Sequence, residues 1–277
     1  MDEATYAKIF PLEYLRKFLA AECREDGRDL LSARKTVIEV NNLPTANGSS
    51  IVKLGDTVVV CGIKLEVGLP ALDKPRDGSI VVKLSLPTSA GAHVVQVTNR
   101  AANELNVQAF SQQLQECVLE CDLIDLSQLC IIENTAAWVI YADVVVVNDD
   151  GNIFDAALLA LNHALKNTLL PHTFSPDEKT VYTTDGEPTP LQLNRLLAPT
   201  SFALIDEYLI ADPALKEAQF SQASITVILD QDGVVCGLHK PGGKPISDAV
   251  LGKALQGAAR RAGQLKHKQQ SPYPIEL

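Results

Sequence analysis

The chain has 277 residues, 46% of them hydrophobic, and a formal net charge of −10. That supports one large core or two moderate ones, and no apolar run approaches the roughly 20 residues that cross a bilayer. The acidic balance argues against a surface that by itself grips nucleic acid through massed Lys and Arg.

The first residues, interrupted by Glu3, Lys8 and Glu13, lack a secretory apolar segment, so the chain reads as intracellular and without a membrane partner. Six scattered cysteines, most of them inside apolar runs, fit a reducing compartment.

Residues 11–22 have the spacing of a short amphipathic helix, followed by the turn Arg24-Glu-Asp-Gly-Arg28. Strands are expected over 36–40, 49–54 and 57–67, with Gly55-Asp56 as the hairpin between the last two. A loop rich in Pro, Gly and Asp at 69–78 precedes an alternating strand at 80–86, and 101–121 reads as a helix. Residues 139–147 are a nearly continuous β-branched run, expected of a central strand covered on both faces. Asn148-Asp149-Asp150-Gly151-Asn152 ends it, because short polar side chains bond nearby backbone and a glycine takes positive φ freely. From Asp155, the positions Ala156, Leu159, Ala160, His163 and Ala164 recur at helical spacing, with Asp155 placed to cap the helix or favour its positive end.

Residues 171–190 are rich in Pro, Thr, Asp and Glu and show no periodicity, as in a linker or surface excursion. A hairpin at 200–204 and 208–211, strands at 224–230 and 234–239, and a helix over 247–265 complete the chain. Val147-Asn-Asp-Asp-Gly151 and Leu229-Asp-Gln-Asp-Gly233 stand at matching places in two successive halves. The fold class is therefore α/β (α+β) by duplication of one unit, divided as 1–190 and 191–277.

Cys117 and Cys121 are four apart on a helix, a tolerable metal-ligand spacing, but no second Cys or His pair stands near them, and zinc is the weaker reading. The five histidines are dispersed. Arg260-Arg261 and Lys266-His267-Lys268 suit the solvated end of a helix. No metal or cofactor is implied.

Several of these motifs, taken in order, carry a resemblance. Arg24-Glu-Asp-Gly-Arg28 is similar to the opening Arg-x-Asp-Gly-Arg of the RNase PH family, and Ala46-Asn-Gly-Ser-Ser-Ile-Val-Lys-Leu-Gly-Asp-Thr-Val-Val-Val-Cys61 to its glycine-serine hairpin. Ala142-Asp-Val and Asp150-Gly-Asn follow in the same order, so that the resemblance spans roughly residues 24–265. Ser111-Gln112, Ala211-Asp-Pro213 and Lys240-Pro-Gly-Gly243 resemble, within the family, exosome ring subunits that have lost catalysis.

The resemblance implies a duplicated fold of mixed sheets packed against helices. It implies a hexameric ring of RNase PH-like subunits that threads single-stranded RNA toward a separate hydrolytic nuclease, with cap proteins above. It also implies a role in rRNA, snRNA and mRNA turnover, in nucleus, nucleolus and cytoplasm. Phosphorolysis would need backbone-gripping cations, donors for inorganic phosphate and a carboxylate acting on a metal ion or as general acid. Active relatives carry an aspartate five residues beyond the position of Asp143, where this chain has Asn148; Asp149 and Asp150 are adjacent, and a shifted turn would bring either into that place. Where active relatives place a phosphate-site arginine, this chain reads Ile132-Glu-Asn-Thr-Ala-Ala-Trp138, and the RNA-gripping arginine segment is reduced to Thr98-Asn-Arg100. Arg100 is left as the one candidate for RNA contact. A structural subunit without catalysis is expected. The alternatives are an active phosphate-dependent 3′–5′ exoribonuclease and an RNA-binding adaptor.

Overall fold

The computed structural model describes residues 3–86, 100–174, 182–184, 186–268 and 275–276. Helices α1 (Glu3–Ile9) and α2 (Pro11–Ala20) open the chain, the second started by a proline whose missing N–H costs nothing in a first turn. The buried side of α2, Leu15 and Leu19, packs on Ile205 and Ile210 from the second half of the chain.

Strands β1 (Thr36–Val40), β2 (Gly48–Leu54) and β3 (Thr57–Gly68) form an antiparallel meander, turned at Gly55 with φ 59°. Strand β4 (Ser79–Ser85) leads to α3 (Arg100–Glu120), β5 (Cys130–Ile132) and the long β6 (Ala136–Asn148). β6 pairs antiparallel with β3 and parallel with β4, which makes α3 the crossover. Ser111 anchors α3 to that edge: its hydroxyl accepts from Leu84 N and donates to Val82 O, both at 3.0 Å.

Helix α4 (Ile153–Lys166) follows β6 and is buried on every side from Phe154 to Leu165. Alanines at 156, 157, 160 and 164 let backbones approach closely; the Ser50 hydroxyl donates to Ala160 O at 2.6 Å, and a Cβ on Gly48 would meet Ala164 O at 2.6 Å. Beyond α4 the excursion is partly paired: β7 (Leu169–Leu170) with β10 (Thr189–Pro190), and β8 (Thr173–Phe174) with β9 (Tyr182–Thr183). Sequence periodicity could not show pairings of two residues each.

The second sheet, ordered β12-β11-β13-β14, is antiparallel throughout: β11 (Ala198–Ile205), β12 (Tyr208–Ala211), β13 (Ala223–Leu229) and β14 (Val235–His239). A short α5 (Leu215–Ala218) stands between β12 and β13, α6 (Asp248–Lys268) follows β14, and β15 (Ile275–Glu276) returns to the free edge of β1. Consecutive residues show that β11 is covered on both faces, since the Ser201 hydroxyl bonds Asp155 of α4 while the Phe202 ring lies against Gly257 of α6. One continuous apolar core runs through both halves.

The first sheet differs. α3 and α4 cover only its inner face, and β6 alternates strictly: Ile140, Ala142, Val144 and Val146 are buried, whereas Tyr141, Val145 and Val147 are exposed. The expected strand covered on both faces is therefore corrected to one covered on a single face, because its outward valines stay in solvent among the described residues. No described helix is long and apolar enough to cross a membrane.

Candidate functional site

The turn between β6 and α4 carries Asn148, Asp149 and Asp150, and the structure assigns each a definite task. Asn148 Nδ2 donates to the Asp56 carbonyl at 2.6 Å, tying the end of β6 to the β2–β3 hairpin. Asp149 Oδ1 accepts from Gly151 N at 2.8 Å, an aspartate turn, and burial holds its carboxyl above the ordinary range against that bond. Asp150 Oδ2 takes Arg34 Nη1 at 3.0 Å, and its carbonyl accepts from Arg34 Nη1 at 2.8 Å and Leu215 N at 3.0 Å. Asp143 lies on the exposed face of β6, opposite Gly62 and Lys83. Five residues of strand place it about 17 Å from Asn148, so the two do not share a site.

Arg34 is the hub. Its Nε and Nη2 grip both oxygens of Asp212 at 2.9 Å, and its own N–H adds a bond to the same carboxylate at 2.7 Å. Nη2 also donates to Gly151 O at 3.0 Å. Asp212 is fully buried with φ 49°; burial alone would raise its carboxyl, but the bidentate guanidinium beside it holds it at about 2. Asn152, at φ 57°, spans two carboxylates, Asp155 at 2.8 Å and Asp212 at 2.7 Å.

Of the two roles expected of Asp155, capping the helix or favouring its positive end, the structure shows the second: it lies in the first turn and is not the cap. The helix begins at Ile153 behind Asn152, and Asp155, fully buried in the first turn, accepts from Ser201 N at 2.8 Å and the Ser201 hydroxyl at 2.7 Å. Burial raises its carboxyl while Arg261 opposes that shift. The tertiary partner outcompeted the local one.

The signature Arg24-Glu-Asp-Gly-Arg28 belongs to the same assembly. Arg24, 1% exposed, donates to Ala211 O at 2.7 Å and Asp212 O at 3.0 Å and forms an ion pair with Glu217. Arg28 bridges Asp26 at 2.6 Å and Asp212 at 3.3 Å. Residues that mark the family in sequence thus meet as a polar clamp between the two halves. Sequence reading missed Arg34, Asn152 and Asp212 as its centre; Asp212 stood inside a quoted motif, but nothing local tied it to Arg34, 178 positions away.

Glu133 accepts from Arg76 Nη2 at 2.9 Å. Arg100 begins α3, and its side chain lies outside the described residues. Cys117 and Cys121 are buried free thiols, and Cys121 Sγ donates to Cys236 O at 3.6 Å; among the described residues no group of three His, Cys, Asp or Glu could hold a metal ion. His163 is buried, and desolvation lowers it to about 4, so it is neutral.

Two sheets, a fully enclosed helix between them and an inter-half clamp at the strand-to-helix turn define an RNase PH-like fold. Residues 32–171 match domain 1, and residues 196–261 domain 2, of the 3′ exoribonuclease family, and the chain belongs to that family. It is similar to the exosome complex component rrp43 of Schizosaccharomyces pombe, 35% identical over 252 residues, which cover 91% of this chain and 92% of the relative. It is also similar to the exosome complex component Rrp42 of Methanopyrus kandleri, 31% identical over 266 residues, covering 96% and 97%. Among solved structures, the Archaeoglobus fulgidus exosome with RNA bound to the active site superimposes with a TM-score of 0.81 at 28% identity, covering 94% of this chain and 97% of the other. An archaeal exosome core gives 0.80 at 27% identity, covering 98% and 100%.

Proposed function

We propose that this chain is a non-catalytic structural subunit of the hexameric RNase PH-like ring of an RNA exosome. It supports 3′–5′ processing and degradation of rRNA, snRNA and mRNA by forming part of the RNA-threading channel. Its partners are the other RNase PH-like ring subunits, the cap proteins, a hydrolytic nuclease and single-stranded RNA in transit, in nucleus, nucleolus and cytoplasm. The names of its relatives support the exosome assignment.

The observation that carries the loss of catalysis is the state of the β6–α4 turn. An amide replaces the acid at 148 and is spent on the Asp56 carbonyl, while Asp150 is engaged by Arg34. A general acid needs an ionisable group within reach of the scissile bond, and an amide has no proton of that kind to give. One observation favours phosphorolysis instead: Asp149 is only partly buried, and burial raises its carboxyl as a general acid requires.

The test is incubation of the purified chain, and of the complex it purifies with, with single-stranded RNA and inorganic phosphate. No nucleoside diphosphate should be released by the chain, and the output of the complex should be the same with Asp149→Asn as with the native residue. Phosphate-dependent release that Asp149→Asn abolishes would establish the active-enzyme reading in its place.

A further inference from the structure

Among the described residues, no helix of the chain covers the outer face of the first sheet. Ile51, Val60 and Val145 stand side by side across three strands, by the register of β2, β3 and β6. Val147 lies beside that row, 51% exposed, and Tyr141 on its other side is 38% exposed. In a solvated antiparallel sheet these positions ordinarily carry polar residues, and contiguous apolar ones mark an interaction site. In the second sheet α4 and α6 cover β11 on both sides, and among the described residues its exposed apolar side chains, Val235 and Leu238, are confined to the edge strand β14.

Area and charge select the occupant. The face spans the strands β1, β2, β3, β6 and β4. Strands about 4.8 Å apart, with about seven residues of 3.3 Å each, give a plane on the order of 500 Å². With the relief of its side chains this approaches the ~800 Å² that one partner contributes to a standard interface. Such a face fits a folded domain. Around the apolar row, Lys53, Lys64 and Lys83 are balanced by Glu39, Glu66 and Asp143. A neutral rim lacks the excess of cations that RNA demands, and two copies at −10 each repel.

The geometry points to the outer face of the first sheet, centred on Ile51, Val60 and Val145, as the docking surface for a neighbouring, non-identical RNase PH-like chain. This rests on the ring-subunit reading and adds the surface through which the neighbour binds.

The test uses the tagged full-length chain in its native cells, as wild type, Val145→Glu and Val145→Lys, with Lys253→Glu on the exposed side of α6 as control. Co-purifying chains are quantified by mass spectrometry, and the thermal midpoint of each purified variant is recorded. Charge in the middle of the face should lower recovery of one RNase PH-like neighbour about tenfold or more. Midpoints should be unchanged, and Lys253→Glu should recover its partners fully. Wild-type recovery with both Val145 variants overturns the inference while leaving the ring reading intact; a midpoint lowered in step with the lost recovery in both also overturns it. If the wild type brings down no RNase PH-like chain, the ring reading fails first. If it brings down only copies of itself, or RNA that Val145→Glu releases, the assigned occupant is wrong.

Discussion

Replacing Asp212 with alanine tests whether the two halves are held by the buried clamp. The substitution removes the two carboxylate oxygens that the Arg34 guanidinium grips, one of which also accepts from Arg34 N–H, and a partner of Asn152 Nδ2. Arg34, with a side chain only 8% exposed, keeps Asp150 and Gly151 O but loses its bidentate partner. Breaking such a pair from one side costs about 3–5 kcal/mol, because the buried guanidinium is left with only the half-exposed carboxylate of Asp150 beside it. At about 2–4 °C per kcal/mol for a chain of this order of size, the midpoint should fall by roughly 6–20 °C. Circular dichroism on the purified chain, with urea titration alongside, measures it. The double variant Arg34→Met/Asp212→Leu should recover a large part of the loss, since paired apolar replacement removes the stranded charge. A midpoint for Asp212→Ala within about 2 °C of wild type would refute the reasoning.

Other outcomes follow from single residues. His163 titrates at about 4 in the fold against about 6.5 unfolded, so its contribution is full above pH 6.5 and is lost as the pH falls to 4; near 1.4 kcal/mol per unit this is about 3 kcal/mol, and His163→Gln should flatten stability over that window in urea titrations. Asp212, depressed to about 2, stabilises above its unfolded value of 3.8 and loses that contribution between there and 2, so a further acid transition should appear below pH 4 and vanish in Asp212→Ala. Gly151→Ala, at φ 86° with its new Cβ 2.5 Å from Leu215 N, should destabilise by about 2 kcal/mol or more in the same assay. Asn148→Asp would set a carboxylate against the Asp56 carbonyl and should cost about 1 kcal/mol, without producing phosphorolysis of RNA.

Local chemistry was enough to find most elements. The Gly55-Asp56 turn, the strands on either side of it, the β-branched run before Asn148 and the alanine-spaced helix after it are all fixed by near neighbours, and so they were legible in the residues. Arg24, Arg28, Asp150 and Gly151 could be recognised as a signature, but not understood. Their shared task depends on Arg34 and Asp212, which meet only when the chain has closed on itself. The same limit left Asp155 undecided between cap and first-turn acid: both are local uses of a carboxylate at a helix start, and no sequence pattern reports that Ser201 will arrive with two donors.

The sequence by itself determined where most of the chain runs as strand or helix and the amide at position 148, because each rests on residue type and spacing. Only the tertiary structure decided which face of β6 meets solvent, which acids are spent on arginines and where the halves lock. A run of valines looks the same whether one side or both is covered, and a buried ion pair joins residues that the chain sets far apart.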